Sequence, residues 1–440
     1  MDRNFIKKIT LGLTFPVVFG LNVDAFNSSV YQQDNEVRED TSLKKYNSDL
    51  LIEACADGDL EKVIQLNNAE VNINARDEYG NTALIIASQN GQLEVVNWLI
   101  NSGANIEMRN NNGDTALMVA CREGHLLVAE KLIISGADVD ANNIWGDAAL
   151  IWACGMAQLP IVKLLIDNDV KVDVKGNNGL TALMWSCEKE SEKIIQLLIK
   201  ARADIDARDD EGNTALMHAL KNKSMKIAKM LVNAGANVNI PSRYGERPLT
   251  YACKERNRAM VRLLTKNGAD VNVRDAEGYT PLICACRGEK IDEGIIQWLI
   301  DKGANINIQD DVGDTALVHA GRDGNLEIAQ WLIDEGADIE SVNREWNTIL
   351  MRACIIGNSE FMRLLIENGA NINAQNKYGK TALMWACYYG YMECVKLLVN
   401  KGAKVDLRDD FGNSAISLAK SNHHEDVVSF LFNAGYYGAN

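Results

Sequence analysis

The sequence has no cluster of lysine and arginine residues, although the chain is 440 residues long. Its 45 basic and 60 acidic side chains give a formal net charge of -15. Because contacts to nucleic-acid phosphates require a basic face, this composition argues against a nucleic-acid partner. A local basic patch on the folded chain is the alternative that composition alone leaves open.

Sequence motifs of catalysis are also missing, including Gly-x-x-x-x-Gly-Lys-Ser/Thr, His-Glu-x-x-His and Gly-x-Ser-x-Gly. The five histidines are dispersed, and the one adjacent pair, His423-His424, precedes Glu425 and Asp426. A metal site there is conceivable, but neighbouring histidines on a helix point in different directions and no cysteine completes a tetrahedron. We therefore expect a protein that is not an enzyme and that carries neither a metal nor another cofactor.

The N-terminal apolar stretch, Ile9 to Leu21, is shorter than the roughly 20 residues that a membrane span requires. Three basic residues precede it: Arg3, Lys7 and Lys8. Small or medium side chains follow it, up to Ala25, as in a secretory signal. This layout predicts a signal peptide over residues 1–25 and an exported protein, periplasmic or secreted, without membrane insertion after signal removal. An uncleaved N-terminal anchor is the alternative.

Residues 26–46 are mostly polar and aperiodic, which predicts a flexible linker. After them, a Gly-x-Thr-Ala-Leu phrase recurs at a step of 33 residues, except for one step of 35 between Gly278 and Gly313. The anchoring glycines are Gly80, Gly113, Gly146, Gly179, Gly212, Gly245, Gly278, Gly313, Gly379 and Gly412, and Trp346 stands where another glycine is due. Such a period is typical of stacked repeats that share one continuous core. We therefore predict a single repeat domain over residues 47–440.

Each unit is predicted to contain a turn and two helices. In residues 77–109, Gly80 suits the turn, and Thr82 suits the N-cap of a first helix over about Ala83 to Gln89. A second helix is expected from about Leu93 to Asn101, with apolar residues at helical spacing for a buried stripe.

These units resemble ankyrin repeats in the D-x-x-G-x-T-A-L-x-x-A phrase and in the Gly-Ala-Asp/Asn-Val/Ile close of each unit. The resemblance covers about residues 47–440 and implies an all-α ankyrin solenoid of about twelve helix-turn-helix units with protruding turns. It also implies that the chain binds proteins through a concave face made of the turns and first helices. One departure is systematic, because apolar residues such as Ile85 and Met118 replace the histidine that usually follows the leucine.

Ten cysteines in an exported chain would ordinarily indicate disulfides. Eight of them occupy one position of the repeat: Cys55, Cys121, Cys154, Cys187, Cys253, Cys286, Cys354 and Cys387. Equivalent positions in stacked helices lie about 8–10 Å apart, whereas a disulfide requires Cα atoms within about 7 Å. We predict that these eight residues, the cysteine ladder, are small buried thiols that pack between helices.

The two residues after the ladder position are exposed in the family, and most of these pairs are polar here, as in Arg322-Asp323. Two consecutive units instead carry Ile355-Ile356 and Tyr388-Tyr389, which is typical of a partner-binding patch. The predicted partner-binding residues are Trp346, Ile355, Ile356, Tyr378, Trp385, Tyr388 and Tyr389. The alternative is that the aromatic rings pack between neighbouring turns and helices. For the three tryptophans at one phrase position, Trp152, Trp185 and Trp385, we expect partial burial.

The sequence thus predicts a monomeric, exported scaffold that binds another protein. One alternative is a protective or structural accessory module for a co-exported enzyme. The other is an enzyme, which would need a catalytic pocket that the repeats do not build.

Overall fold

The computed structural model of the protein describes residues 45–68, 71–288 and 290–434. The predicted signal peptide and the predicted linker up to residue 44 lie outside these ranges. Lys45 and Tyr46, the last two residues assigned to the linker, already belong to the first helix. The chain divides into two compact units, one up to Asp138 and one from Val139 onward.

The regular elements in the described ranges are helices joined by turns, and the β-type pairing there consists of isolated antiparallel bridges. The helices of the first unit are α1 (residues 45–57), α2 (Leu60–Asn68), α3 (Ala83–Gln89), α4 (Leu93–Asn101), α5 (Ala116–Glu123) and α6 (Leu126–Ile134).

The second unit continues the same alternation of a first and a second helix in each repeat. Its helices are α7 (Ala149–Gly155), α8 (Leu159–Asp167), α9 (Ala182–Glu188), α10 (Glu192–Lys200), α11 (Ala215–Lys221), α12 (Met225–Asn233), α13 (Pro248–Lys254), α14 (Arg258–Lys266), α15 (Pro281–Ala285), α16 (Glu293–Asp301), α17 (Ala316–Arg322), α18 (Leu326–Asp334), α19 (Ile349–Ile355), α20 (Ser359–Glu367), α21 (Ala382–Tyr389), α22 (Met392–Asn400), α23 (Ala415–Ser421) and α24 (Glu425–Asn433). One 3-10 turn, Asn177–Gly179, precedes α9. None of the helices in the described ranges has the length and apolar character of a membrane-spanning segment.

The predicted unit is confirmed at both helices, because α3 and α4 have the bounds that the sequence indicates. The Thr82 hydroxyl accepts the N–H of Ile85 at 3.3 Å, which satisfies one of the free donors at the helix start. Gly91 lies in the loop between α3 and α4 and has φ of +73°, a value that glycine adopts without steric cost. The described part of the chain therefore contains twelve helix pairs of the predicted all-α ankyrin solenoid.

Asp or Asn side chains cap most of the protruding turns. In the first complete unit, Asp77 Oδ1 accepts the N–H groups of Tyr79 at 2.9 Å and Asn81 at 2.7 Å. Neighbouring turns are joined through the backbone, since Asn111 N donates to the carbonyl oxygen of Tyr79 at 2.9 Å. The same link joins turns of the second unit, where Asp410 N donates to the Tyr378 carbonyl oxygen at 3.0 Å. Turn tips are therefore held in fixed register within each unit.

The cysteine ladder is buried, as predicted, and all ten cysteines are free thiols. Burial raises the pKa of Cys55 to about 12 and that of Cys387 to about 12. Among the two cysteines off the ladder, Cys394 is buried and Cys284 is half-buried. The thiols therefore pack as small apolar groups between helices.

The missing family histidine is compensated in two repeats. Ile85 and Met118, which stand at the usual histidine position, are buried apolar residues. One position later in their own phrases, His218 and His319 reach back to the turns. The Nε2 atom of His218 lies 2.9 Å from Asp209 Oδ2, and that of His319 lies 2.8 Å from Asp310 Oδ2. These repeats recover a side-chain hydrogen bond to the turn from a shifted position.

Candidate partner-binding surface

Five of the seven predicted binding residues are exposed: Trp346, Ile356, Tyr378, Tyr388 and Tyr389. Trp346 has the largest exposed fraction, 62%. Ile355, which we expected to be exposed, is instead half-buried at the last residue of α19, a helix that packs against α21. Trp385 is half-buried, as expected, and so are Trp152 and Trp185.

Four aromatic side chains, Trp385, Tyr388, Tyr389 and Tyr391, form a continuous group that we call the aromatic cluster. Tyr388 and Tyr389 meet edge to face, with ring centroids 5.0 Å apart. Tyr389 stacks on Trp385 at 6.2 Å and on Tyr391 at 5.7 Å. Edge-to-face and offset-stacked pairs are the favoured aromatic geometries, so the cluster is internally stabilised while its outer faces stay accessible.

Tyr391 is a member of the cluster that the sequence analysis missed. It follows Gly390, whose φ of +72° ends α21, and its ring lies against Gly357 of the preceding repeat. A methyl group on Gly357 would come within 3.1 Å of that ring. The sequence shows only that Gly357 and Gly390 occupy equivalent positions in consecutive repeats. The direction of the Tyr391 ring could not be predicted, because it depends on how the repeats pack.

Trp346 takes the left-handed conformation of the glycine that it replaces, with φ of +61°. The turn keeps its usual bonds, since Trp346 N donates to the Asn343 carbonyl oxygen at 2.8 Å. Asn343 Oδ1 also accepts the N–H of Asn347 at 3.0 Å. The turn has therefore not changed shape to relieve the bulky residue, and the indole is left facing solvent at its tip.

Two lysines lie over the aromatic rings of this surface. Lys380 Nζ is 4.6 Å from the ring of Trp385 and 5.6 Å from that of Tyr388. Lys377 Nζ is 4.9 Å from the ring of Tyr378. A cation over the face of an aromatic ring is attracted by the ring quadrupole. The surface thus combines exposed rings with positive charge.

A second set of exposed apolar residues lies at the start of the second unit and was also missed. Ile144 and Trp145 are exposed at a turn tip, and Met156 is exposed after α7. Aromatic residues stand at the same turn position, just before the glycine, in several other repeats: Tyr79, Tyr244, Tyr378 and Phe411. All of these are exposed. The signal was available in the sequence as a repeated aromatic at one register of the turn.

A cavity of about 770 Å³ lies on the turn and first-helix side of the middle repeats of the second unit. Lys254 and Glu246 line it at 3.9 Å from one another, and Arg322 pairs with Asp323 at 3.2 Å. Arg287 lies over the ring of Tyr279 at 4.2 Å. The residues that line the cavity are mostly polar, and carboxylates lie close to several of its cations.

A buried polar cluster, Asp310, Asp314 and His319, brings three candidate metal ligands within 4.8 Å of one another. Cations already occupy it, since Arg352 Nη2 lies 2.6 Å from Asp314 Oδ2 and Arg322 Nη2 lies 2.9 Å from His319 Nδ1. Because a guanidinium only donates, His319 Nδ1 accepts and its Nε2 donates to Asp310. The cluster is therefore best described as a polar network rather than a metal centre.

The same network shifts two pKa values in opposite directions. Burial would raise the pKa of Asp310, but the hydrogen bond from His319 and those from backbone N–H groups outweigh it and lower that pKa. Burial raises the pKa of Asp314 despite the nearby charge of Arg352.

At the chain end, His424 Nε2 lies 3.0 Å from the carbonyl oxygen of Tyr388, so this histidine contacts the segment that carries the aromatic cluster.

Comparison with known proteins agrees with this architecture. The family model of ankyrin repeats (3 copies) matches residues 51–143, 128–209, 193–275, 267–343 and 350–440. No curated protein gives a significant match. Among solved structures, the chain is similar to the crystal structure of the ankyrin repeat domain of Bcl-3, a unique member of the IkappaB protein family. That match has 29% identity and a TM-score of 0.46, and it covers 51% of this chain and 100% of the other.

Proposed function

This chain belongs to the ankyrin repeat family, whose repeats mediate protein–protein interactions, and we propose that it is a non-enzymatic scaffold that binds one partner protein. Binding takes place on the concave face, through the surface formed by Trp346, Ile355, Ile356, Tyr378, Trp385, Tyr388 and Tyr389. The observation that carries the proposal is the exposure of Ile356, Tyr388 and Tyr389 at positions that are polar in most other repeats. Exposed, clustered apolar side chains are typical of interaction sites.

The signal-like residues 1–25 support an exported protein, periplasmic or secreted, that acts as a monomer in the cell envelope. The second candidate function is a protective or structural accessory module for a co-exported enzyme. It uses the same surface and differs only in what the partner does. A partner that has enzymatic activity of its own and becomes labile without this chain would favour it.

A photo-crosslinking amino acid placed at Tyr389 tests the binding proposal in cells. We expect one discrete cross-linked species containing a second protein. The matched control is the same amino acid at Ile134, which is exposed at the end of the second helix α6. Equal cross-linking from both positions, or none from Tyr389, would contradict the proposal.

A further inference from the structure

We call the proposed binding surface, with Lys377 and Lys380, the aromatic surface. We propose that it recognises an acidic, apolar-rich segment of the partner protein, an inference that rests on the proposed function. The surface supplies exposed rings and two ammonium groups, at Lys377 and Lys380, and the ammonium groups lack carboxylate partners. The complementary ligand is an extended stretch in which Asp or Glu side chains accompany large apolar ones.

The first step concerns the two ammonium groups themselves. Neither Lys377 nor Lys380 has a carboxylate within 4 Å in the described part of the chain, and both ammonium groups lie over aromatic rings. Glu345 and Asp410 stand on the adjacent turn tips without forming an ion pair to either lysine. The positive charge at this site is therefore available to an incoming group.

Three lysines elsewhere on the same side of the repeats are paired with carboxylates. Lys221 lies 3.9 Å from Glu211, and Lys254 lies 3.9 Å from Glu246. Lys223, in a loop after α11, lies 3.2 Å from Glu255. In a chain of net charge -15, two ammonium groups that lie over aromatic rings without a carboxylate within 4 Å give this surface a local positive charge.

The position of Lys380 adds a second argument. The corresponding residue after the turn is acidic or an amide in most repeats, as in Asp114, Asp147, Asn213, Asp314 and Asn347. Lys380 is the one cation in that register. It lies over Trp385 and Tyr388 at the base of the exposed tyrosines. A carboxylate that reached it would bring the neighbouring side chains of its own segment onto the rings.

The chemistry of such a complex follows from these placements. Apolar side chains of the segment cover Ile356, Tyr388 and Tyr389, while carboxylates reach the two ammonium groups. Covering the rings excludes water from the ion pairs and strengthens them. Electrostatic complementarity of this kind selects among partners more than it raises total affinity. A basic segment would be repelled by the same lysines.

Selection of a random peptide library on the folded full chain tests the inference. We expect the enriched peptides to carry net negative charge together with aromatic or aliphatic residues. The affinity of the best peptide should fall at least about tenfold in the double variant Lys377→Glu and Lys380→Glu, because like charges then face one another. It should also weaken as salt rises, because exposed charges are screened.

The matched control is Lys396→Glu with Lys401→Glu, which makes the same change in net charge on the second helix α22 and at its C-cap. Peptide affinity should be unchanged in this control. Thermal melts of both double variants establish that each is folded.

Enriched peptides that lack acidic residues, but lose binding when Tyr388 and Tyr389 are replaced by serine, would overturn this inference and leave the proposed function standing. Enrichment of basic peptides, or no enrichment at all, would also overturn it. Vesicles of phosphatidylglycerol provide the lipid comparison. Binding to them that is lost in the Lys377 and Lys380 double variant, without peptide binding, would assign the site to an anionic membrane surface instead.

Discussion

The indole ring of Trp385 stacks on the phenol ring of Tyr389 one helical turn later, with their planes inclined by 18°. Residues four apart lie on one face of a helix, so this contact belongs to the accessible side of α21. The half-buried tryptophan therefore holds the exposed tyrosine in place before any partner arrives. A side chain that is already ordered loses little rotamer freedom on binding, which favours affinity.

Replacing Trp346 by glycine should raise the free energy of unfolding by about 1 kcal/mol, because a left-handed conformation costs other residues about that much. The same variant should bind the partner more weakly, since the exposed indole is removed. Urea unfolding and a binding assay measure the two effects.

Arg202→Gly is the control, because Arg202 has φ of +64° and lies far along the sequence from the aromatic surface. It should gain similar stability and bind the partner normally. A loss of stability in Trp346→Gly would instead mean that the indole packs against the protein.

The thiols should react slowly with thiol reagents in the folded chain. Nine of the ten cysteines are buried, and burial raises the pKa of Cys394 to about 11 and that of Cys284 to about 12. Because the thiolate is the reactive form, we expect no fast-reacting thiol without denaturant, and the half-buried Cys284 should be the first to react. Reagent titration of the wild-type chain and of Cys284→Ala checks this. Rapid modification of several thiols would contradict the packing.

Lowering the pH should reduce the free energy of unfolding, in part because Asp310 becomes protonated. The folded-state pKa of this carboxyl is lowered, so its contribution is complete above the unfolded value of about 4 and is lost as pH falls through the folded value. The pKa of Asp314 is raised, so its ionised form is unfavourable at neutral pH and protonation on acidification opposes the loss.

Urea unfolding across this acid range, with wild type and Asp310→Asn compared, measures the effect. We expect a smaller fall in unfolding free energy in the variant than in the wild type. Equal pH dependence in the two proteins would show that Asp310 does not contribute.

The regular features of the fold could be predicted because each repeat marks its own boundaries. Thr82 caps α3 and glycines end the helices and turns, so a 33-residue period fixes the elements without knowledge of tertiary packing. The burial of the cysteine ladder and the partial burial of Trp385 follow from the same register.

The irregular features could not be predicted from register alone. Ile355 is half-buried whereas Tyr388, at the equivalent position, is exposed, so the position in the repeat does not fix the exposure of a side chain. Arg352 reaches Asp314, 38 residues earlier, and this pairing depends on the side-chain directions of two stacked units. Tyr391 joins the aromatic cluster by lying against Gly357 in the same way.

The most direct test of the binding surface is a titration of the cross-linked partner, once identified, against wild type and a quadruple variant. The variant carries residues found at equivalent positions: Ile355→Arg, Ile356→Asp, Tyr388→Lys and Tyr389→Glu. We expect binding to weaken by several kcal/mol, at about 2 kcal/mol for each aromatic anchor, with a melting temperature close to that of the wild type. Unchanged affinity, or a large fall in melting temperature that shows these side chains to be core residues, would contradict the account.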